Sequence, residues 1–171
     1  MRILIFGHAR SGSSVLQGYL SKTLSLENLY EPFTYGTDRN ILTMLQEKDQ
    51  YVVKITSGNF FQWGIDEIDL SIYDQVWITE RENKNDVLAS VYIADKTKNY
   101  GKQEKQKFTI TKEFLIRWQT EMKFFYQFQQ RIMKEYPDYK KMSHTEIMQA
   151  MKDSDMYVPS EMAYSIDCEN G

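Results

Sequence analysis

The sequence predicts an α/β protein, a three-layer sandwich around a central parallel sheet of about four to five strands. Three observations predict it. Arg2–Phe6 is a nearly unbroken apolar run, as expected of a strand buried on both faces. Strand-like and helix-like segments then alternate along the chain, as parallel crossovers require. The first strand also runs straight into a loop bracketed by Gly7 and Gly12, and that loop opens an apolar-patterned helix.

Each element has its own cause. Ser13 to about Ser25 carries Val15, Leu16, Tyr19 and Leu20 at helical spacing. Leu26–Tyr30 reads as a short second strand ending at Glu31-Pro32, because proline keeps the residue before it extended. Asp38–Gln46 reads as a helix, Tyr51–Thr56 as a strand, and Asp74–Thr79 as another strand ending at Glu80-Arg81. Asn85 or Asp86 is the expected cap of a helix carrying Val87, Leu88, Val91, Tyr92 and Lys96. The polar residues 99–107 read as a flexible loop. Lys112 to about Tyr136 is the longest helix, capped by Thr111 and stopped by Pro137. Its packed stripe is Phe114, Trp118, Met122, Phe125, Gln129 and Ile132. Lys140–Ser143 reads as a last strand and Thr145–Lys152 as a short helix. A single domain spanning 1–171 is expected, with an irregular C-terminal tail from 154.

Composition narrows the function classes. With 21 basic and 24 acidic residues the net charge is −3, which gives no support to general nucleic-acid binding. The 12 Tyr, 9 Phe and 3 Trp read as core and groove walls. A single cysteine, Cys168, rules out a disulfide within the chain and makes a reducing compartment the default. The first strand begins at Arg2, leaving no room for a signal peptide before it, and no apolar run reaches the length of a membrane span. A cytoplasmic protein with no membrane partner is therefore expected. His8 and His144, with one distant cysteine, make no zinc set, and no metal is expected.

The loop at Gly7–Ser14 carries the chemistry. Small residues let backbone N–H groups curl around an anion, and the following helix adds partial positive charge. The layout is P-loop NTPase-like, but a nucleoside-triphosphate loop reads G-x-x-x-x-G-K-[ST]. Gly7 and Gly12 keep that spacing, whereas Ser13 stands where the lysine belongs and the cation has moved to Arg10. This argues against an ATPase or GTPase and toward a different phosphate-rich donor.

Gly7-His8-Ala9-Arg10-Ser11-Gly12-Ser13-Ser14 resembles the loop of the sulfotransferase superfamily, G-x-P-[RK]-[ST]-G-[ST]-[ST], with Ala9 in place of the proline. The family's second signature is an arginine after an apolar strand and a serine nine residues on. Arg81, after Val76–Glu80, and Ser90 match it. The resemblance covers about residues 1–95. It implies that the loop, Gly7 to Ser14, holds the 5′-phosphosulfate of 3′-phosphoadenosine-5′-phosphosulfate, and that Arg81 and Ser90 hold the 3′-phosphate. The family's Lys-x-His segment is matched only by Lys54-Ile55-Thr56, with threonine where the histidine would be. A carbohydrate-type branch instead uses a glutamate in a Glu-Pro-Phe-like segment, which Glu31-Pro32-Phe33 resembles.

The resemblance implies sulfuryl transfer to a hydroxyl acceptor, a carbohydrate or small alcohol, with Glu31 as base and Arg10 steadying the leaving phosphate. The product is adenosine 3′,5′-bisphosphate. Lys54, Tyr30 and Phe33 are candidate contacts to the acceptor or sulfuryl group, and Tyr35, Phe60, Phe61 and Trp63 could form a sugar-stacking wall or a core. His8, inside the loop, is a donor contact whose imidazole ordinarily titrates near neutrality. Two alternatives stand: a P-loop kinase of a small molecule, with Glu80 as magnesium ligand, and a catalytically inactive nucleotide-binding member. A second subunit could complete the groove of so short a transferase.

Overall fold

The opening apolar run becomes the central strand of a five-stranded sheet. The computed structural model describes residues 1–29, 32, 39–59, 68–98 and 109–154. Strand β1 (Arg2–Gly7) lies between β3 (Tyr51–Thr56) and β4 (Gln75–Glu80). Strands β2 (Glu27–Leu29) and β5 (Lys140–Ser143) close the edges, in the order β2-β3-β1-β4-β5. Every neighbouring pair is parallel. The helices used below are α1 (Ser13–Leu24), α2 (Arg39–Glu47), α3 (Lys84–Thr97), α4 (Lys112–Glu135) and α5 (His144–Asp153). A short 3₁₀ turn at Leu70–Ile72 leads into β4.

Alternation along the strands feeds two cores, one on each face. Ile3, Ile5 and Val52 pack with Leu16 and Leu20 of α1 and Ile147 of α5. Leu4, Phe6, Val53, Ile55, Val76 and Ile78 pack with Leu45 of α2, Val87 and Tyr92 of α3, and Phe114, Trp118, Phe125 and Ile132 of α4. Sandwiching is why the central strand is apolar from Ile3 to Phe6. Gln17 anchors α1 to the sheet by donating its amide to the Leu29 and Val52 carbonyls, at 3.0 and 3.3 Å.

The elements follow the expected pattern with small shifts, and two expectations need correction. The cap of α3 is Asn83 rather than Asn85 or Asp86: its side chain accepts from both of their amides, at 3.1 and 3.4 Å. Asp86 sits instead in the first turn, where its charge favours the helix dipole. On α4 the buried stripe takes Phe128 in place of Gln129, and its ring meets Phe6 edge-on at 4.9 Å. Thr111 caps α4, as its spacing predicts. The loop expected at 99–107 and the tail beyond 154 lie outside the described residues. Among the described residues, no helix is long and apolar enough to cross a membrane.

Phe125 joins helix layer to sheet. It is fully buried and stacks on Phe6 with centroids 5.1 Å apart. Phe125→Ala is expected to cost about 3–5 kcal/mol in urea unfolding. A loss under about 1 kcal/mol would mean that Phe6 is supported by its other neighbours.

Candidate functional site

At the centre of the sheet, the carboxyl ends of β1 and β4 lie side by side, yet β1 leads to α1 on one face and β4 to α3 on the other. Open α/β sheets take ligands in the crevice left by such a divergence. The loop from Gly7 to Ser14 forms one wall of that crevice.

Packing explains the first glycine. Gly7 faces Thr79 in the β1–β4 register, and a Cβ there would run into the hydroxyls of Thr79 and Ser11. Those two hydroxyls are hydrogen-bonded to each other at 2.8 Å. Gly12 has φ 89°, and a Cβ on it would press on His144 and Ile147 of α5 at 3.2 and 3.3 Å. Arg10 is also left-handed, with φ 64°, a conformation that costs a non-glycine residue roughly 1–2 kcal/mol. Left-handed residues of this kind curl a loop so that successive N–H groups face inward.

Helix α1 starts on Gly12 with no side-chain cap and no acidic residue in its first turn. Its first N–H groups are therefore left for water or an anion. One cation, Lys54, joins it. Lys54, on β3 and only 3% exposed, donates from Nζ to Ser14 Oγ at 2.6 Å, which places its ammonium on the first turn of α1. Arg10 Nε donates to Ser90 Oγ at 2.8 Å. Positive charge at the positive end of a helix suits a bound anion.

His8 behaves differently from its sequence reading. It is fully buried, with Nδ1 3.0 Å from the Ala9 carbonyl and Nε2 3.2 Å from the Arg81 amide. Nδ1 must carry the proton, since it faces a carbonyl, and Nε2 must accept. Burial pushes the imidazole pKa down from 6.5 to about 4; the Ala9 carbonyl and Glu80 oppose this, while Lys84 and Arg81 add to it. The side chains of His8 and Ser11, read from sequence as donor contacts, are thus turned into the fold. The Ser11 amide in turn donates to the His8 carbonyl at 3.3 Å.

Beyond the strand, Arg81 lies 3.6 Å from the Asp86 carboxylate. Burial disfavours the Glu80 carboxylate, but hydrogen bonds from Lys141 and Lys84 outweigh this and hold its pKa below the usual range. Lys84 reaches one oxygen at 2.6 Å and Lys141 the other at 2.7 Å. Both oxygens being engaged by ammonium groups weighs against the magnesium role that a kinase would give Glu80. A cleft of about 580 Å³ opens nearby among Glu80, Glu82, Lys141, Ser143 and Glu146. Its acidic lining does not suit a phosphate, so the loop is the better anion site. Among the described residues, no group of three or more His, Cys, Asp and Glu side chains could hold a metal ion.

Gly7 to Ser14, Lys54, Arg81 and Ser90 therefore meet around one end of the sheet. Glu31, Tyr30 and Phe33 lie outside the described residues, as do Tyr35, Phe60, Phe61 and Trp63. Thr56, where the family's histidine would stand, has its amide and hydroxyl both tied to Asn59 Oδ1, at 2.8 and 3.0 Å. Sequence reasoning missed Thr79, whose signal was its place opposite Gly7 at a strand end. It also missed that Phe125 meets the His8 ring edge-on at 5.2 Å, for which the sequence held no signal beyond an apolar stripe. Comparison with protein-family models, with curated proteins and with solved structures gives no match.

The His8 environment fixes a pH response. An unfolded chain takes up the imidazole proton near pH 6.5, whereas the folded one resists until about pH 4. The neutral ring's contribution is complete above pH 6.5 and is lost as the pH falls toward 4. That loss is expected to reach up to about 3 kcal/mol, and His8→Gln should flatten the slope. Urea midpoints at pH 7, 5.5 and 4.5 check this, and an equally steep slope in the variant contradicts it.

Proposed function

We propose that this protein binds 3′-phosphoadenosine-5′-phosphosulfate across the carboxyl edge of its sheet and acts as a sulfotransferase on a carbohydrate or small alcohol. The observation that carries the reading is the 2.8 Å bond from Arg10 to Ser90. It joins, across 80 residues of sequence, the loop cation and the serine that the resemblance assigns to different phosphates of one donor. An uncapped helix start with the Lys54 ammonium on its first turn fits one anionic group, and the resemblance assigns a second to Arg81 and Ser90, the latter bonded to Arg10. Ser13 in place of the P-loop lysine and the lysine-bound Glu80 both favour this donor over ATP with magnesium.

Bound in this way, the donor supplies a sulfuryl group that passes in line to an acceptor hydroxyl as adenosine 3′,5′-bisphosphate leaves. Arg10 and the loop N–H groups meet the charge that grows on the 5′-phosphate, an effect typically worth a few kcal/mol per preorganised donor. Ser13 and Ser14 add ligands from the first turn of α1. Lys54, on β3, brings its ammonium to that turn and would serve the sulfuryl oxygens or the acceptor. Glu31 takes the hydroxyl proton, a task that typically contributes roughly 10²–10⁴-fold.

A labelled-sulfate transfer assay over a panel of sugars and alcohols tests the proposal. Arg10→Ala should lower turnover by roughly 10²–10³-fold. Glu31→Gln should abolish transfer and leave donor affinity nearly intact; normal turnover in that variant would remove Glu31 as the base. Arg81→Ala should weaken adenosine 3′,5′-bisphosphate by about tenfold or more while barely changing adenosine 5′-phosphate. Equal weakening of both would contradict the assignment of the 3′-phosphate to Arg81.

A further inference from the structure

We propose that His8 is a positioning residue: its buried ring fixes the Arg81 corner against the loop, so the protein itself sets the spacing of the two phosphate subsites. The proposal rests on the two-phosphate reading for its ligand measurements but not for the clasp itself.

Three facts carry it. First, the ring has a defined orientation. Phe125 packs against it edge-on, the Ala9 carbonyl takes the Nδ1 proton, and Nε2 is left as an acceptor aimed at the Arg81 amide. Second, Arg81 follows the last residue of β4, so its amide lies past the strand and finds its partner in this ring. Third, two further bonds from the loop to this side, from Ser11 to Thr79 and from Arg10 to Ser90, do not end on Arg81. Apart from His8, the corner is held by Lys84, which donates to the Arg81 carbonyl at 2.9 Å, and by the longer ion pair between Arg81 and Asp86. Removing the ring's bonds should therefore leave the loop in place and loosen Arg81.

The sequence gives a way to separate shape from bonding. His8→Phe keeps a ring against Phe125 but has neither nitrogen. His8→Gln restores an acceptor at the reach of Nε2. In the full-length protein at pH 7, long-range proton–nitrogen spectra should show His8 as the neutral Nδ1–H tautomer. Hydrogen exchange at the Arg81 amide should speed up by about fivefold in His8→Phe, the worth of one hydrogen bond, and return toward normal in His8→Gln. In titrations, the preference for adenosine 3′,5′-bisphosphate over adenosine 5′-phosphate should fall by a similar factor, about fivefold, in His8→Phe and recover in His8→Gln.

An Nε2–H tautomer, an unchanged Arg81 exchange rate in His8→Phe, or equal loss of both nucleotides would overturn the clasp. If the unaltered protein binds neither nucleotide, the donor reading fails. The tautomer and the Arg81 exchange rate then still decide the clasp, and the wild-type tautomer does so even if His8→Phe does not fold.

Discussion

Three side chains of one loop, His8, Arg10 and Ser11, hydrogen-bond to the segment that runs from β4 into α3, at Arg81, Ser90 and Thr79. The rest of the candidate site depends on this seam. It can form because Gly7 has no Cβ to hold it away from Thr79, its partner in the strand register. With the strand ends this close, Ser11 reaches Thr79, the chain turns left-handed at Arg10, and the guanidinium comes to Ser90. From the other side, Lys54 on β3 reaches Ser14, and α5 closes over Gly12. A loop held from three directions loses little further freedom when an anion arrives, which is the advantage of preorganisation.

The electrostatics follow the same geometry. The whole chain carries a net charge of −3, yet the end of the sheet gathers Arg10, Lys54, Arg81 and a helix N-terminus. Two acidic groups beside them are committed. Glu80 is bound by Lys84 and Lys141, and Asp86 faces Arg81. Net charge thus says little about the potential at a site, which is set by the few charges that face it.

Much of the architecture was legible because it rests on local patterning. Tyr51–Thr56 reads directly as a strand, and Thr111 as a cap, since burial and capping leave marks in neighbouring residues. The α3 cap was not, because Asn83, Asn85 and Asp86 are all competent caps and only the path of the chain leaving β4 chooses among them. At the site, the loop residues and their partners Arg81 and Ser90 were legible as types in order. The orientation of His8 was not. An imidazole in a phosphate loop can point at the ligand or into the core, and here its partners Phe125 and the Arg81 amide are distant in sequence.

The central claim is the proposal that this site, the loop together with Arg81 and Ser90, takes an adenosine phosphate bearing a 3′-phosphate rather than a nucleoside triphosphate. It is tested most directly by thermal unfolding with adenosine 3′,5′-bisphosphate, and separately with ATP and magnesium, at matched concentrations. A ligand that binds only the folded state raises the melting temperature by an amount that grows with the logarithm of its concentration over its Kd. The account predicts a rise with adenosine 3′,5′-bisphosphate that survives a metal chelator, and little change with ATP and magnesium. A rise with ATP and magnesium and none with the bisphosphate would contradict it.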